Sequence, residues 1–198
     1  MKANRRVIRR GLLAGLCLLA ACTTGAPSPR PRHYLLAAPG AAAVIAAAPG
    51  WQVAVGPVTV APYLDQARIV TRADGPEVTL HDTARWAMPL AAGVAAGIRV
   101  VFEQALPGSV TSAYPAVTPV GYARRVAIEV TRLDGEPGGQ VVLEAAWRVF
   151  AVDGRELDAG TAALTQPVAA GMTALVAAEG ALVSELGGRI AARLAATR

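Results

Sequence analysis

The sequence predicts an α+β fold: a single domain in which a mainly antiparallel β-sheet is covered on one face by two long helices. Two observations support this prediction. Apolar and polar residues alternate through two consecutive runs, 122–133 and 140–152, a pattern typical of half-buried strands, and the turn signal Asp153-Gly154 leads into a third strand over 155–165. Two other segments, 86–106 and 173–196, carry apolar residues at helical spacing, so each has an apolar stripe that requires a sheet to cover it.

A basic segment followed by a short apolar run precedes this domain. Lys2 and four arginines lead into residues 11–21, which are fewer than the roughly 20 residues that a transmembrane helix needs. The pattern is typical of an export signal. The run ends in Leu19-Ala20-Ala21-Cys22, which resembles the bacterial lipobox. We therefore expect residues 1–21 to be a lipoprotein signal peptide and Cys22 to be the lipid attachment site.

Residues 22–33 are expected to form a lipidated, Pro-rich tether to a domain over residues 34–198. Three prolines between residues 23 and 32, with almost nothing to bury, favour an extended linker. At about 3.1 Å per residue, ten residues of polyproline II reach roughly 30 Å. An ordinary secretory signal or an uncleaved anchor are the alternatives, but neither accounts for a cysteine followed by such a linker.

Charge and cysteine content exclude several classes of function. Removal of the signal takes away five of the 19 basic residues and leaves 14, against 14 acidic residues, so the domain has no basic excess with which to bind nucleic acid. Cys17 belongs to the signal and Cys22 to the lipid anchor. The folded domain therefore has no thiol for a disulfide, a metal site or nucleophilic catalysis.

Short strands are predicted in the first half of the domain. The apolar residues of segment 51–60 change parity across Gly56-Pro57, so we expect a bulge or kink there. Asp74-Gly75 separates two β-prone runs and predicts a hairpin. The expected elements are a strand over 33–36, a loop or two-turn helix over the Ala-rich segment 41–48, a strand over 51–60, and the hairpin over 68–71 and 77–80.

The second half is predicted to contain the two helices and the antiparallel meander. The first helix stops at Pro107-Gly108, and Gly187-Gly188 within the last helix indicates either close packing or a kink. A membrane-surface helix is the alternative for the last segment, but its polar face lacks the Lys and Arg density typical of such helices. The expected elements are a helix over 86–106, strands over 109–114, 122–133, 140–152 and 155–165, and a helix over 173–196.

No pattern of catalytic residues is present. His33 and His81 have no cysteine neighbours and no metalloprotease spacing, and the chain contains no nucleophile elbow or phosphate-binding loop. We therefore expect a protein that is not an enzyme, with no metal and no cofactor beyond the covalent lipid on Cys22.

Three stretches resemble one known family. Residues 55–72 (VGPVTVAPYLDQARIVTR), 85–90 (RWAMPL) and 144–150 (EAAWRVF) resemble, in order, the ABC-type transport auxiliary lipoproteins typified by paraquat-inducible protein C, the PqiC-like family. The resemblance runs from residues 34–36 to the final helix. The chain departs from the family at Met88, where an acidic residue is common, and in the Ala-rich segment 41–48.

The resemblance implies a lipoprotein on the periplasmic face of the outer membrane. Such a protein acts as a non-catalytic accessory subunit of an MCE-type intermembrane lipid transport system that maintains envelope integrity. The implied partners are an MCE-domain periplasmic protein and the inner-membrane partner of that protein. A homo-oligomeric ring of identical subunits is a further hypothesis. Thr23 and Thr24 follow Cys22, and neither is the Asp that resembles an inner-membrane retention signal. The alternative is a stand-alone lipid or small-ligand binding lipoprotein with an acyl chain between the helices and the sheet.

The resemblance also singles out residues around the hairpin. We predict that partners bind at a sheet edge or at a patch around Tyr63 and Trp86, because aromatic residues and arginine are favoured at interface centres. A purely structural role is the alternative, with Ile69 and Val70 in the core and Arg72 paired to a carboxylate. The family block corresponds to Tyr63, Leu64, Asp65, Ile69, Val70, Thr71, Arg72, Trp86 and Pro89, and the predicted partner-binding residues are Tyr63, Leu64, Asp65, Arg72 and Trp86.

Overall fold

The computed structural model describes residues 29–37, 39, 44–45, 50–73, 75–115 and 121–197. Residues 31–198 form one compact unit, to which all described helices and strands belong. Cys22, the signal over 1–21 and most of the tether over 22–33 lie outside the described residues, so the expectations for them stay predictions. Of the Ala-rich segment 41–48 only Val44 and Ile45 are described, and the Ile45 N–H donates to the carbonyl of Ala105 at 2.8 Å.

The predicted α+β fold is confirmed. Eight strands and two helices are described. The elements in chain order are β1 Arg32–Tyr34, β2 Gln52–Val60, β3 Arg68–Thr71, β4 Thr79–Trp86, α1 Leu90–Ala105, β5 Val110–Ala113, β6 Arg124–Gly135, β7 Gln140–Ala151, β8 Glu156–Pro167 and α2 Met172–Ala196. The strands form a five-stranded sheet of order β5-β2-β6-β7-β8 and a three-stranded sheet of order β1-β4-β3.

The predicted meander is present as β6, β7 and β8, which pair antiparallel in sequence order. Its inward residues are buried as the alternation predicts, with Val126, Val130 and Val149 fully inaccessible. The ring of Trp147 lies over Gly160 on β8, where an added Cβ would come within 2.3 Å of the ring. Glycine is therefore required opposite this tryptophan. One boundary differs, since β6 continues through Asp134 and Gly135 instead of turning there.

The five-stranded sheet is mixed, because β2 runs parallel to both of its neighbours, β5 and β6. Parallel neighbours require long crossover connections. The connection from β2 to β6 contains β3 and β4 of the three-stranded sheet, then α1 and β5. The predicted irregularity in β2 is confirmed, since its register with β6 shifts between Val55 and Val58, around Gly56-Pro57.

The predicted hairpin is confirmed as β3 and β4, which pair antiparallel, while β1 adds parallel to β4. The first helix begins four residues later than predicted. Trp86 is the last residue of β4, and its N–H donates to the carbonyl of Ala67 at 2.8 Å. Pro89 has an extended ψ of 134° and occupies the N-cap, so the helix starts at Leu90.

Both helices cover one face of the five-stranded sheet and contact each other. An added Cβ at Gly187 of α2 would lie 2.9 Å from Val101 of α1, so this glycine permits close approach of the helices, one of the two predicted roles. Ile98 and Phe102 on α1 and Leu186 on α2 are fully buried in the same interior. Within the described part of the chain, no helix combines the length and apolar character needed to cross a bilayer.

Candidate functional site

A buried ionic cluster joins the two sheets. Asp134, near the end of β6, is 0% exposed. Its Oδ1 accepts hydrogen bonds from Nε of Arg72 and Nε of Arg132, both at 3.0 Å. Its Oδ2 accepts from Nη2 of Arg72 at 2.7 Å and from the hydroxyl of Tyr63 at 2.5 Å. We call Tyr63, Arg72, Arg132 and Asp134 the carboxylate cluster.

Local structure brings these four side chains together. Tyr63 lies in the turn that follows β2, which is closed by a hydrogen bond from the Leu64 N–H to the carbonyl of Ala61 at 2.9 Å. Arg72 follows β3 directly, and its N–H donates to the carbonyl of Gly135 at 3.0 Å. Arg132 and Asp134 are two residues apart on β6 and therefore project on the same side of that strand.

The cluster holds Asp134 in its charged form. Burial by itself would raise the pKa of this carboxyl, but the hydrogen bonds from Arg72, Tyr63 and Arg132 outweigh burial and lower the pKa below its usual value. Burial and the bond to Asp134 raise the pKa of Tyr63, so the phenol remains a proton donor. The hydrogen bond to Asp134 also raises the pKa of Arg72.

The geometry of the carboxylate cluster favours a structural role over acid–base chemistry. An ionised carboxylate offers about four acceptor positions. All four on Asp134 are occupied by protein donors, so no position is left to receive a proton from a substrate. Arg72 and Arg132 also line an adjacent surface cleft of about 350 Å³, together with Glu136 and Gln140.

An apolar cleft of about 340 Å³ lies where β4 leads into α1. Trp86 forms part of its wall and is 7% exposed, while Met88 at its rim is 37% exposed. Asp65 is an exposed charged residue of the same cleft. The full lining is Asp65, Gln66, Ala67, Trp86, Ala87, Met88 and Pro89, which we call the Trp86 cleft.

The structure divides the five predicted partner-binding residues among three environments. Tyr63 and Arg72 belong to the carboxylate cluster, and Asp65 and Trp86 line the Trp86 cleft. Leu64 is 2% exposed and lies in the core. A binding role for these residues stays a prediction.

The structural alternative for this block agrees with the observed contacts. Ile69 and Val70 are 0% and 3% exposed, and Arg72 is paired with a carboxylate. The residues that sequence reasoning missed are Arg132 and Asp134, since the Asp134-Gly135 pair resembles a turn. The Arg-x-Asp spacing on one strand side was the available signal.

Among the described residues, no group of three or more His, Cys, Asp or Glu side chains is arranged to hold a metal ion. Nε2 of His81 lies 2.7 Å from Oγ1 of Thr71, in a local contact between β4 and β3. The space between the helices and the five-stranded sheet is filled by protein side chains, including Val94, Leu182 and Ile190, each at most 1% exposed. An acyl chain bound there would have to displace them.

Solved structures with the same fold are known, whereas no curated protein matches the sequence. A crystal structure of an uncharacterized protein aligns with a TM-score of 0.69 at 19% identity and covers 83% of this chain and 99% of its own. A Xanthomonas campestris protein of the DUF330 family aligns with a TM-score of 0.67 at 18% identity, over 83% of this chain and 95% of its own. These similarities establish the fold.

The family assignment comes from the sequence profile of the ABC-type transport auxiliary lipoprotein component family, which matches residues 34–191. The matched segment contains the carboxylate cluster, the Trp86 cleft, α1, α2 as far as Ala191, and all strands except the start of β1. The family is described as an auxiliary component of ABC-type transport. The chain therefore belongs to the ABC-type transport auxiliary lipoprotein component family.

Proposed function

We propose that the protein is an outer-membrane-anchored periplasmic lipoprotein that acts as a non-catalytic accessory subunit of an MCE-type intermembrane lipid transport system. The family match over residues 34–191 carries this proposal, because it describes an auxiliary lipoprotein of transport. The lipobox-like sequence ending in Cys22, followed by two threonines, supports an outer-membrane anchor. The filled interior supports a role in binding a protein partner over one in carrying a lipid.

The Trp86 cleft is the surface that we propose for docking the MCE-domain protein. It combines apolar wall atoms with the exposed charge of Asp65, the combination of anchor pocket and polar rim that protein interfaces use. The carboxylate cluster positions this surface. The Nε2 group of Gln66, which lines the cleft, donates to the carbonyl of Tyr63 at 2.7 Å, and Tyr63 is fixed in turn by Asp134.

The proposal is tested by detergent extraction of the full lipoprotein from its own envelope, followed by purification and identification of bound proteins. We expect an MCE-domain protein to co-purify. Asp65→Arg should reduce its recovery at least tenfold, since a like-charge contact across an interface costs several kcal/mol and about 1.4 kcal/mol corresponds to a tenfold change in affinity. Asp82→Arg is the matched control, because Asp82 has an 82% exposed side chain and lies outside the cleft.

Two results would contradict the proposal. A lipoprotein that remains alone and monomeric after crosslinking in intact cells would show that it has neither an MCE partner nor a homo-oligomeric ring. Recovery of the protein with inner-membrane fractions on a density gradient would contradict the proposed localisation. Equal recovery of partner with Asp65→Arg and Asp82→Arg would remove the Trp86 cleft from the docking surface while leaving the accessory role intact.

A further inference from the structure

One end of the five-stranded sheet carries arginine and aromatic side chains that neither the carboxylate cluster nor the Trp86 cleft uses. The register aligns the strand ends: Gln52 on β2 lies beside Val110 on β5, and Arg124 at the start of β6 pairs with Ala151 at the end of β7. The Ala151 N–H donates to the carbonyl of Arg155, just before β8, at 2.9 Å. All five strands therefore begin or end here, and we call this region the arginine end.

Two neighbouring arginines at this end are held by aromatic rings and not by carboxylates. The guanidinium carbon of Arg124 lies 5.0 Å from the centre of the Trp51 ring. That of Arg125 lies 5.0 Å from the ring of Tyr114 and 4.2 Å from the ring of Phe150. Neither arginine forms an ion pair with a described carboxylate. Nη1 of Arg124 donates to the carbonyl of Ala123 at 3.0 Å. Stacking occupies the faces of a guanidinium and leaves its other in-plane N–H groups for an anion.

The two stacked arginines project on opposite faces of the sheet. Successive strand residues alternate in direction, and Arg124 has the parity of the fully buried Val126, whereas Arg125 pairs in register with Phe150. Their guanidinium groups therefore cannot converge on one small phosphate. A planar surface that meets the sheet end-on can contact both.

The same end exposes apolar side chains and further positive charge. Val110 is 60% exposed and Val152, in the turn between β7 and β8, is 70% exposed. Arg155 is exposed and lines a cleft of about 400 Å³ with Arg193. The charge of Arg193 is matched by two hydrogen bonds to Asp158.

Among the described residues at this end, three arginines and two carboxylates have no ion-pair partner, so the balance is positive. Arg124, Arg125 and Arg155 are opposed by Asp153, whose Oδ1 accepts a hydrogen bond from the backbone N–H of Arg155 at 3.0 Å, and by the exposed Glu103, whose Oε1 accepts one from the hydroxyl of Thr111 on β5. Arg148 and Glu156 lie 3.8 Å apart and offset each other. Exposed valines lie here beside stacked aromatic rings and arginines that have no ion-pair partner. This combination fits the interfacial layer of a bilayer, where lipid phosphates attract arginine and the outer parts of the acyl chains contact apolar side chains.

We propose that the arginine end lies against a bilayer surface that contains anionic phospholipids. The arginines contact headgroup phosphates, and Val110 and Val152 enter the headgroup layer. A basic residue near an anionic surface strengthens binding about fivefold. This contact orients the domain on the membrane and is independent of an MCE-domain partner.

The test is flotation of residues 31–198, the compact unit with all described elements, with lipid vesicles on a density gradient. We expect the protein to float with vesicles of equal parts phosphatidylglycerol and phosphatidylethanolamine and to remain behind with pure phosphatidylcholine. Arg155→Gln should weaken partitioning about fivefold. Val152→Asp should weaken it at least as much, and its exposed position preserves the fold. Arg68→Gln is the control, since it removes an arginine from the other sheet whose side chain is 41% exposed and paired with Asp82.

Several outcomes would overturn the proposal. These are absence of flotation, equal flotation with phosphatidylcholine, or equal effects of Arg155→Gln and Arg68→Gln. Full release by inorganic phosphate at constant ionic strength would indicate a small-anion site. Self-association in the absence of lipid that Val152→Asp abolishes would show that this end is an interface between copies of the chain. The thermal midpoint of each variant verifies that it remains folded.

Discussion

Replacement of Asp134 by asparagine is the sharpest test of the structural role of the carboxylate cluster. The change preserves side-chain shape but removes the negative charge that Arg72 and Arg132 share. In the variant an N–H₂ group, itself a donor, replaces Oδ2, which in the wild type accepts hydrogen bonds from the Tyr63 hydroxyl and from Nη2 of Arg72. Removing one partner of a buried ion pair costs about 3–5 kcal/mol. The side chains of Arg72 and Arg132 are 21% and 27% exposed and are able to regain water, so we expect a loss near the lower limit, about 3 kcal/mol.

The assay is equilibrium unfolding in urea at pH 7, with Asp158→Asn as the matched control. Asp158 is also held by an arginine, Arg193, but the side chain of that arginine is 59% exposed, so Asp158→Asn should destabilise the fold clearly less than Asp134→Asn. In a parallel thermal unfolding experiment, Asp134→Asn should lower the Tm by about 6–12 °C. Equal destabilisation by the two substitutions would refute the view that the buried cluster stabilises the contact between the sheets.

The effect of Asp134→Asn should depend on pH in a defined direction. The folded-state pKa of Asp134 is lowered, so its contribution to stability is complete above its unfolded-state pKa of about 3.9 and is lost as the pH falls through the folded-state value. The difference in unfolding free energy between wild type and variant should therefore shrink below about pH 4. A difference that is constant from pH 7 to pH 3 would exclude this linkage.

Three further predictions follow from other positions. Burial raises the folded-state pKa of Glu179, which is 1% exposed. The contribution of this carboxyl to folding stability is therefore complete below its unfolded-state pKa and is lost as the pH rises. Glu179→Gln should raise the Tm at pH 8 and change it little at pH 4, and a lower Tm at pH 8 would contradict this. Gly187→Ala should cost about 1–3 kcal/mol in urea unfolding, because its Cβ would meet Val101, whereas a neutral result would show that the helices separate freely. Cys22→Ser should leave an uncleaved precursor in cells, and fatty-acid labelling of this variant would disprove the lipid attachment site.

The elements that were predicted well are those whose signal is local. The meander and both helices follow from periods of two and 3.6 residues, which record the buried face of each element regardless of its neighbours. The bulge at Gly56-Pro57 also left a local signal, the change of apolar parity in β2. The start of α1 was misplaced because Trp86 is buried in a strand as it would be in a helix.

The sequence does not predict which neighbouring strands are parallel or antiparallel, or which strands share a sheet. A strand that is buried on one face has the same alternation whether its neighbour is parallel or antiparallel. The parallel pairing of β2 with β5 and β6, and the separation of β1, β4 and β3 into their own sheet, depend on how the crossovers between them fold. These features appear only when the elements assemble.

The sequence by itself shows the lipobox-like motif that ends at Cys22, the lack of a basic excess after residue 21, the kinds of element and the family resemblance, because each of these is read from composition or from short segments. Only the tertiary structure determines which contacts the residues of the family block make. Tyr63 and Arg72 meet Asp134 across sequence separations of 71 and 62 residues. Such a contact depends on strand order and register, which bring distant segments to one point, and no local pattern encodes it.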